Sequence, residues 1–294
     1  MKISGFTFVK NAVHYDYPVV ESIRSVLPLV DEMLVNLGDS DDATNDLVAS
    51  IGSAKLKYIH SAWDKSLREG GRVLAVETDK AMDAVSPDAD WLFYIQADEV
   101  LHEKYIPVVR SAMERYKDDE QVEGLLFRYL HFYGSYKYVG DGRRWYSNEI
   151  RVIRNKPGIR SYRDAQGFRI NGRKLQVKPV EAFIYHYGWV KNPVFMQQKH
   201  LDFGQHWNDP QTHEAWRKKE AVRRPAFDYS NVDSLAFFEG THPEVMKERV
   251  GREDWQFEHD TRKKNFKNIK HRILYWLQQR FGIRPFEYRN YHKI

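Results

Sequence analysis

Trp91-Leu-Phe-Tyr-Ile-Gln-Ala-Asp98-Glu99 is an apolar run that ends abruptly in two adjacent carboxylates. Residues 91–96 have the length and composition of a buried strand. Such a strand delivering acid at its carboxyl end is how an open α/β sheet builds a ligand site, because the crevice lies just beyond those ends. Asp98 and Glu99 are oxygen donors of the kind that hold Mg2+ or Mn2+, ions that keep positions open for substrate phosphates. The stretch therefore points to a nucleotide-linked substrate, and its bland alternative is a solvated turn.

Working outward, residues 3–9, 32–37 and 56–60 read as further short, mostly apolar strands. Between the first two, Val19, Val20, Ile23, Val26 and Leu27 recur at helical spacing. Residues 67–85 can form a longer helix with Val73, Leu74, Val76, Ala81 and Val85 inward. This alternation predicts right-handed βαβ crossovers and a parallel sheet. After a surface helix over 105–117, aromatic strands at 124–133, 149–154 and 182–187 predict an antiparallel extension. The polar stretch 200–259 has no readable periodicity. The expected fold class is α/β, a mostly parallel sheet flanked by helices, with one domain over 1–195 (halves 1–103 and 104–195) and a mainly helical region over 196–294.

The chain of 294 residues has no cysteine, which excludes disulfides, thiolate metal sites and cysteine nucleophiles. Aromatic residues make up 14%, enough to furnish stacking or sugar-facing surfaces as well as core. No segment approaches the ~20 apolar residues of a membrane span. The first residues enter a strand without the regions of a signal peptide, so a soluble, cytoplasmic protein is expected. Net charge is +5, but residues 260–294 hold ten Lys or Arg against two Asp or Glu, a local +8 that leaves −3 for the rest. The basicity belongs to the tail.

Other strand ends add candidates. Asn36-Leu-Gly-Asp39-Ser-Asp-Asp-Ala-Thr44 offers Gly38 for a tight turn, Asp42 and Thr44 as helix caps, and Asp39 as an acceptor for nucleobase N–H or ribose hydroxyls. Val9, Lys10 and Asn11, at the end of the first strand, can line the same crevice. Arg68-Glu-Gly-Gly-Arg72 brings a guanidinium near a helix N-terminus, a region favourable to phosphate. A surface loop is the alternative there.

Taken together these residues resemble the family 2 glycosyltransferases, whose GT-A fold is a Rossmann-like nucleotide-sugar-binding domain. Phe8-Val-Lys-Asn11 stands at the base-binding strand end, Asp39 at the base-contacting acid, Asp42-Ala-Thr44 at the usual Asp-Gly-Thr turn and Arg72 at an arginine near the nucleotide. Gln96-Ala-Asp98 stands at the Asp-X-Asp signature, with Gln96 in place of its first acid, so Asp98 is the implied direct ligand and Glu99 a second. Asp79 occupies a position where asparagine is frequent. The resemblance further implies that His186, in Ile184-Tyr-His186-Tyr-Gly-Trp189, approaches the metal and diphosphate, against a core histidine as the alternative. It also implies a carboxylate base on the acceptor side. Asp164 in Arg160-Ser-Tyr-Arg-Asp164-Ala-Gln-Gly-Phe168 is the choice, with Glu149 and Glu181 as substitutes and a salt bridge to Arg160 or Arg163 as its alternative.

The implied activity is inverting transfer of a hexosyl group from a nucleotide-diphosphate sugar, a UDP-sugar, to a hydroxyl of a bacterial-type glycan or lipid-linked acceptor, with Mg2+ or Mn2+. A transferase-like protein that binds nucleotide or glycan without turnover is the non-enzyme alternative, and a sugar-nucleotide nucleotidyltransferase the other enzyme. In the tail, Phe266, Ile269, Ile273, Leu274, Trp276, Leu277 and Phe281 trace one face of a helix, with Lys263, Lys267, Lys270 and Arg280 opposite. Packing of that apolar stripe on the enzyme's own body is expected, peripheral contact with the inner membrane surface is the alternative, and no nucleic-acid-binding signature accompanies the charge.

Overall fold

The computed structural model describes residues 1–64, 66–67, 69–204 and 210–294. Arg68 of the glycine-rich loop and residues 205–209 of the unassigned stretch lie outside them. In chain order the elements are β1 (Ile3–Val9), α1 (Val19–Val26), β2 (Glu32–Gly38), α2 (Thr44–Ala49), β3 (Leu56–Ser61), α3 (Arg72–Asp83), β4 (Trp91–Tyr94), β5 (Glu99–Leu101) and α4 (Ile106–Arg115). Then follow β6 (Gly124–Tyr133), β7 (Ser135–Gly140), β8 (Asn148–Arg154), β9 (Ile159–Tyr162), β10 (Gly167–Ile170), β11 (Arg173–Lys174) and β12 (Gln176–Trp189). The chain ends with α5 (Pro193–Phe203), α6 (Pro210–Arg223), β13 (Leu235–Phe237), α7 (Lys247–Gly251), α8 (Ile269–Phe281) and β14 (His292–Lys293).

Strands β3, β2, β1 and β4 lie side by side and parallel, as the βαβ alternation requires. β8 runs antiparallel to β4, and β6 antiparallel to β8, opening the extension that β7 and β13 continue. β12 pairs parallel with β6 and antiparallel with β5. A small antiparallel sheet of β9, β10 and β11 lies apart. The expected α/β architecture is thus present. The stretch from residue 196 holds most of α5 and all of α6 to α8, and it also sends β13 and β14 to the large sheet as partners of β7 and β12.

Period-two alternation explains why the sheet is covered on both faces. On β4, Trp91 and Phe93 join the core layer of Val19, Ile23 and Val26 from α1, while Leu92 and Tyr94 join the layer of Val73, Leu74 and Ala81 from α3. Burying each large apolar side chain is worth about 1.5–3 kcal/mol, so β4 is anchored from two sides.

The connection order decides where a ligand fits. From β1 the chain moves outward through β2 and β3, then returns to lay β4 on the other flank of β1. The carboxyl ends of β1 and β4 therefore diverge at a switch point, the place where open α/β sheets leave a crevice.

Candidate active site

At that switch point lies a cavity of about 440 Å3. The end of β1 contributes Phe8, Val9, Lys10 and Asn11, and the turn after β4 contributes Gln96, Ala97 and Asp98. Tyr146, Asp164, Gln166, His186, Trp189 and Lys199 close the other side.

The first two strand-end loops are stitched together. Asn11 N–H donates to Ser40 Oγ (3.0 Å), Asp41 N–H to Asn11 Oδ1 (3.1 Å), His14 N–H to Asp42 Oδ2 (2.7 Å) and Ala12 N–H to Thr44 Oγ1 (2.7 Å). Asp42 and Thr44 thus support the loop behind the cavity rather than line it. Asn11 holds a left-handed φ of 53°, which asparagine tolerates better than most residues. Asp39, half exposed, does not line the cavity but accepts from two residues that do, Lys10 Nζ (2.6 Å) and Trp63 N–H (3.0 Å). Through these bonds it sets Trp63 against Phe8, ring centroids 5.8 Å apart, with Lys10 Nζ 5.4 Å from the indole. Gly38 is needed for this closeness, since a Cβ there would lie 2.6 Å from Trp63 Nε1. The result is an aromatic end to the cavity, its two rings tilted by 56° to each other, continued by Leu67 and Val73. Arg72 is exposed at the start of α3 and does not line the cavity.

At the β4 end the two acids part. Asp98 faces the cavity, with its Oδ2 3.4 Å from Lys199 Nζ and 3.7 Å from His186 Nε2. Desolvation works to raise its pKa, but its surroundings, the Lys199 ammonium foremost, outweigh it and hold the carboxyl at about 2. Glu99 is fully buried and spent on Arg151, with Nε to Oε2 at 2.7 Å and Nη2 to Oε1 at 2.6 Å, and it accepts Tyr129 Oη at 2.8 Å. This corrects the expectation of Glu99 as a metal ligand: its oxygens are already coordinated by donors inside the core. Gln96 Nε2 donates to Tyr94 Oη (3.2 Å) and Ala165 O (3.3 Å), so the residue standing where an acid was expected ties β4 to the Asp164 loop.

His186 is positioned by strand register. On β12 it stands beside His131 of β6 and Glu99 of β5, and the imidazoles of His131 and His186 meet Nδ1 to Nδ1 at 3.2 Å. His131 Nε2 lies 2.9 Å from Tyr146 O, an acceptor only, so His131 carries its proton on Nε2. Its Nδ1 then accepts from His186 Nδ1, which leaves the Nε2 lone pair of His186 directed toward Asp98. Burial lowers the pKa of both rings, His131 most strongly, and keeps the pair neutral. A Cβ on Gly188 would lie 2.5 Å from Asp98 Oδ2 and 2.8 Å from His186 Nε2, so the glycine keeps that space open.

An ionised carboxylate, an imidazole lone pair and an open cradle fit a divalent cation of the Mg2+ or Mn2+ kind whose other positions go to phosphate oxygens and water. Among the described residues, no group of three or more His, Asp or Glu could hold a metal on protein donors alone. Lys199 of α5 was not foreseen. Its Nζ also donates to Gly188 O (3.1 Å) and lies 4.8 Å from the Tyr17 ring, whose centroid is 4.6 Å from Lys191 Nζ. Burial, then the neighbouring Lys199 charge, lowers Lys191 to about 7.

Asp164 lines the cavity between Arg163 and Ala165, two non-glycine residues with left-handed φ of 56° and 62°. Backbone strain of this kind clusters at functional sites. Burial raises the Asp164 pKa. Arg160 pairs with Asp83 at 2.6 Å instead of with Asp164. Glu149 and Glu181 do not reach the cavity. Glu149 is buried beneath β10, where desolvation raises it to about 8, and Glu181 is exposed beside Arg128. Asp79, also raised by burial, to about 6, accepts Ser161 N–H at 2.8 Å and so braces β9.

No family model and no curated protein matches the chain. Among solved structures it is similar to S. aureus TarS in complex with UDP, at 11% identity over 76% of this chain and 71% of that one, with a TM-score of 0.42. It is similar also to glucosyl-3-phosphoglycerate synthase of Mycobacterium tuberculosis in complex with Mn2+, UDP-glucose and glycerol 3-phosphate, at 20% identity over 44% of each chain, with a TM-score of 0.30. A third likeness is to 4-diphosphocytidyl-2C-methyl-D-erythritol synthase of Anaerococcus prevotii, at 8% identity over 52% of this chain and 70% of that one, with a TM-score of 0.34.

Proposed function

We propose that this protein is an inverting glycosyltransferase that moves a sugar from a nucleoside diphosphate, a UDP-sugar, to a hydroxyl of a glycan or lipid-linked acceptor. The observation that carries the reading is the joining, in one cavity, of an aromatic end, a carboxylate and imidazole beside an ammonium, and a second carboxyl of raised pKa.

In this reading Phe8 and Trp63 stack the nucleobase, with Asp39 and Lys10 at its edge. Lys199 takes the diphosphate oxygens, and Lys191 adds charge from behind Tyr17. A divalent cation on Asp98 and His186 would neutralise the charge that grows on the leaving diphosphate. Asp164 accepts the acceptor hydroxyl's proton as that oxygen bonds to the anomeric carbon, and the bond from that carbon to the diphosphate breaks with its electron pair leaving on oxygen. One carboxylate base with no covalent intermediate gives inversion. A raised pKa matches the base better to a hydroxyl.

The test combines nucleotide binding with turnover. Thermal stability is measured against UDP, GDP, CMP and ADP with and without Mn2+, since a ligand that binds only the native state stabilises it. Asp164→Asn is expected to lower kcat by about 10²–10⁴, to leave donor binding intact, and to remove the loss of activity as pH falls through the raised Asp164 pKa. Absence of a shift with every nucleotide overturns the reading.

A further inference from the structure

We propose that the outward face of α8, continued by residues 281–286, is a docking surface for an anionic membrane. The helix is attached to the body by its polar side. Tyr275 Oη donates to Asp141 Oδ2 (2.6 Å), and Gln278 Nε2 and Gln279 Nε2 donate to Asp141 O (2.8 and 3.3 Å). Leu274 and Leu277 are half-buried on that side, and no residue of α8 is fully buried. Ile269, Ile273 and Trp276, spaced by four and three, form the opposite stripe and are 68%, 52% and 56% exposed. Phe281, Ile283 and Phe286 extend it, the last 90% exposed. This corrects in part the expectation that the apolar stripe packs on the enzyme's own body: Leu274 and Leu277 turn inward, whereas Ile269, Ile273, Trp276 and Phe281 do not.

The tail is held in this pose. Arg143 Nη2 donates to Pro285 O (2.5 Å), Arg284 Nη2 donates to Trp145 O (2.6 Å), and β14 closes on β12. Water would disfavour such a stripe unless another surface covers it.

Charge selects the occupant. Residues 260–294 carry a net +8, and Arg272 lies on the outward stripe by helical spacing from Ile269, Ile273 and Trp276, as does Arg280, which was expected on the opposite face. A second copy docked face to face would set +8 against +8. A nucleic-acid backbone would answer the charge but leave the isoleucines with no apolar partner. Anionic headgroups over hydrocarbon answer both. The loop of residues 141–146 joins this face to the cavity, since Asp141 holds α8 and Tyr146 lines the cavity wall. A lipid-borne acceptor would thus meet the protein beside its docking face.

Co-sedimentation of the full chain with equimolar phosphatidylglycerol and phosphatidylcholine vesicles, against pure phosphatidylcholine, tests this. Binding to the anionic vesicles that weakens with salt is expected. The Ile273→Ser/Trp276→Ser and Arg272→Glu/Arg280→Glu variants should each lose about tenfold or more in partitioning. Thermal melts should be unchanged, because these side chains are exposed. Failure to bind anionic vesicles, equal binding by the variants, release by an oligonucleotide, or a dimer in sedimentation velocity that Trp276→Ser dissolves would each overturn the proposal.

Discussion

Asp98 and Glu99 are neighbours in the chain and occupy opposite worlds. Asp98 stands in the cavity wall with His186 and Lys199, whereas Glu99 lies behind it in a sealed cluster with Arg151 and Tyr129. Asp98 ends the turn after β4 and Glu99 opens β5, so the change from turn to strand divides the acid pair into one group that faces the cavity and one that faces the core. The two clusters nonetheless cooperate. Arg151 Nη1 also holds Gln166 O at 3.0 Å, so the buried pair steadies the loop that presents Asp164.

The sharpest way to break this contrast is to remove each acid in turn. Glu99→Ala is expected to cost about 3–5 kcal/mol of stability by leaving Arg151 charged and unpaired in the core, read as a fall in denaturant midpoint. Asp98→Asn should cost less stability than Glu99→Ala, since it removes only the longer Lys199 contact of 3.4 Å at a cavity wall, and should instead lose the Mn2+-dependent part of nucleotide binding and lower turnover by about 10²–10³. If Asp98→Asn destabilised the fold and Glu99→Ala spared it, the assignment of the two roles would be inverted. Trp63→Ala tests the far end of the cavity, where loss of base stacking should weaken UDP binding by about 1–3 kcal/mol in calorimetry and leave inorganic diphosphate binding unaltered.

Glu149 gives a test outside the cavity, read through pH. Its folded pKa of about 8 lies above the usual carboxylate value, so the folded state keeps a proton that the unfolded chain has lost. Its share of stability is present at low pH and disappears as pH rises through 8, at ~1.4 kcal/mol per pH unit at most. Glu149→Gln should flatten the decline of stability between roughly pH 5 and 8, and a decline identical to that of the parent chain would remove Glu149 as its source.

Legibility followed the range of the interactions. Strands β1 and β6 begin and end where periodicity placed them, and α1 and α4 are set by local apolar spacing. Asp98 was readable because a strand end at the switch point has one destination. Glu99 was misread because its partner Arg151 is 52 positions away. Trp63 carried a signal, an aromatic just past the β3 strand end, as did the second lone histidine, His131, in an aromatic strand. Lys199 lies 101 positions from Asp98 on a helix of mixed polarity, and no local pattern marks it.

By itself the sequence determined the parallel βαβ half, the delivery of Asp98 and Lys10 to one crevice, and the concentration of positive charge in the tail, since these depend on residue type and short-range period. Tertiary structure alone decided which acid faces the cavity, which tautomer His186 adopts, that Lys199 faces Asp98, and that Ile269, Ile273 and Trp276 of α8 turn outward. Those outcomes hang on burial and on pairings between distant segments, where a charge takes its role from the partner that folding brings to it.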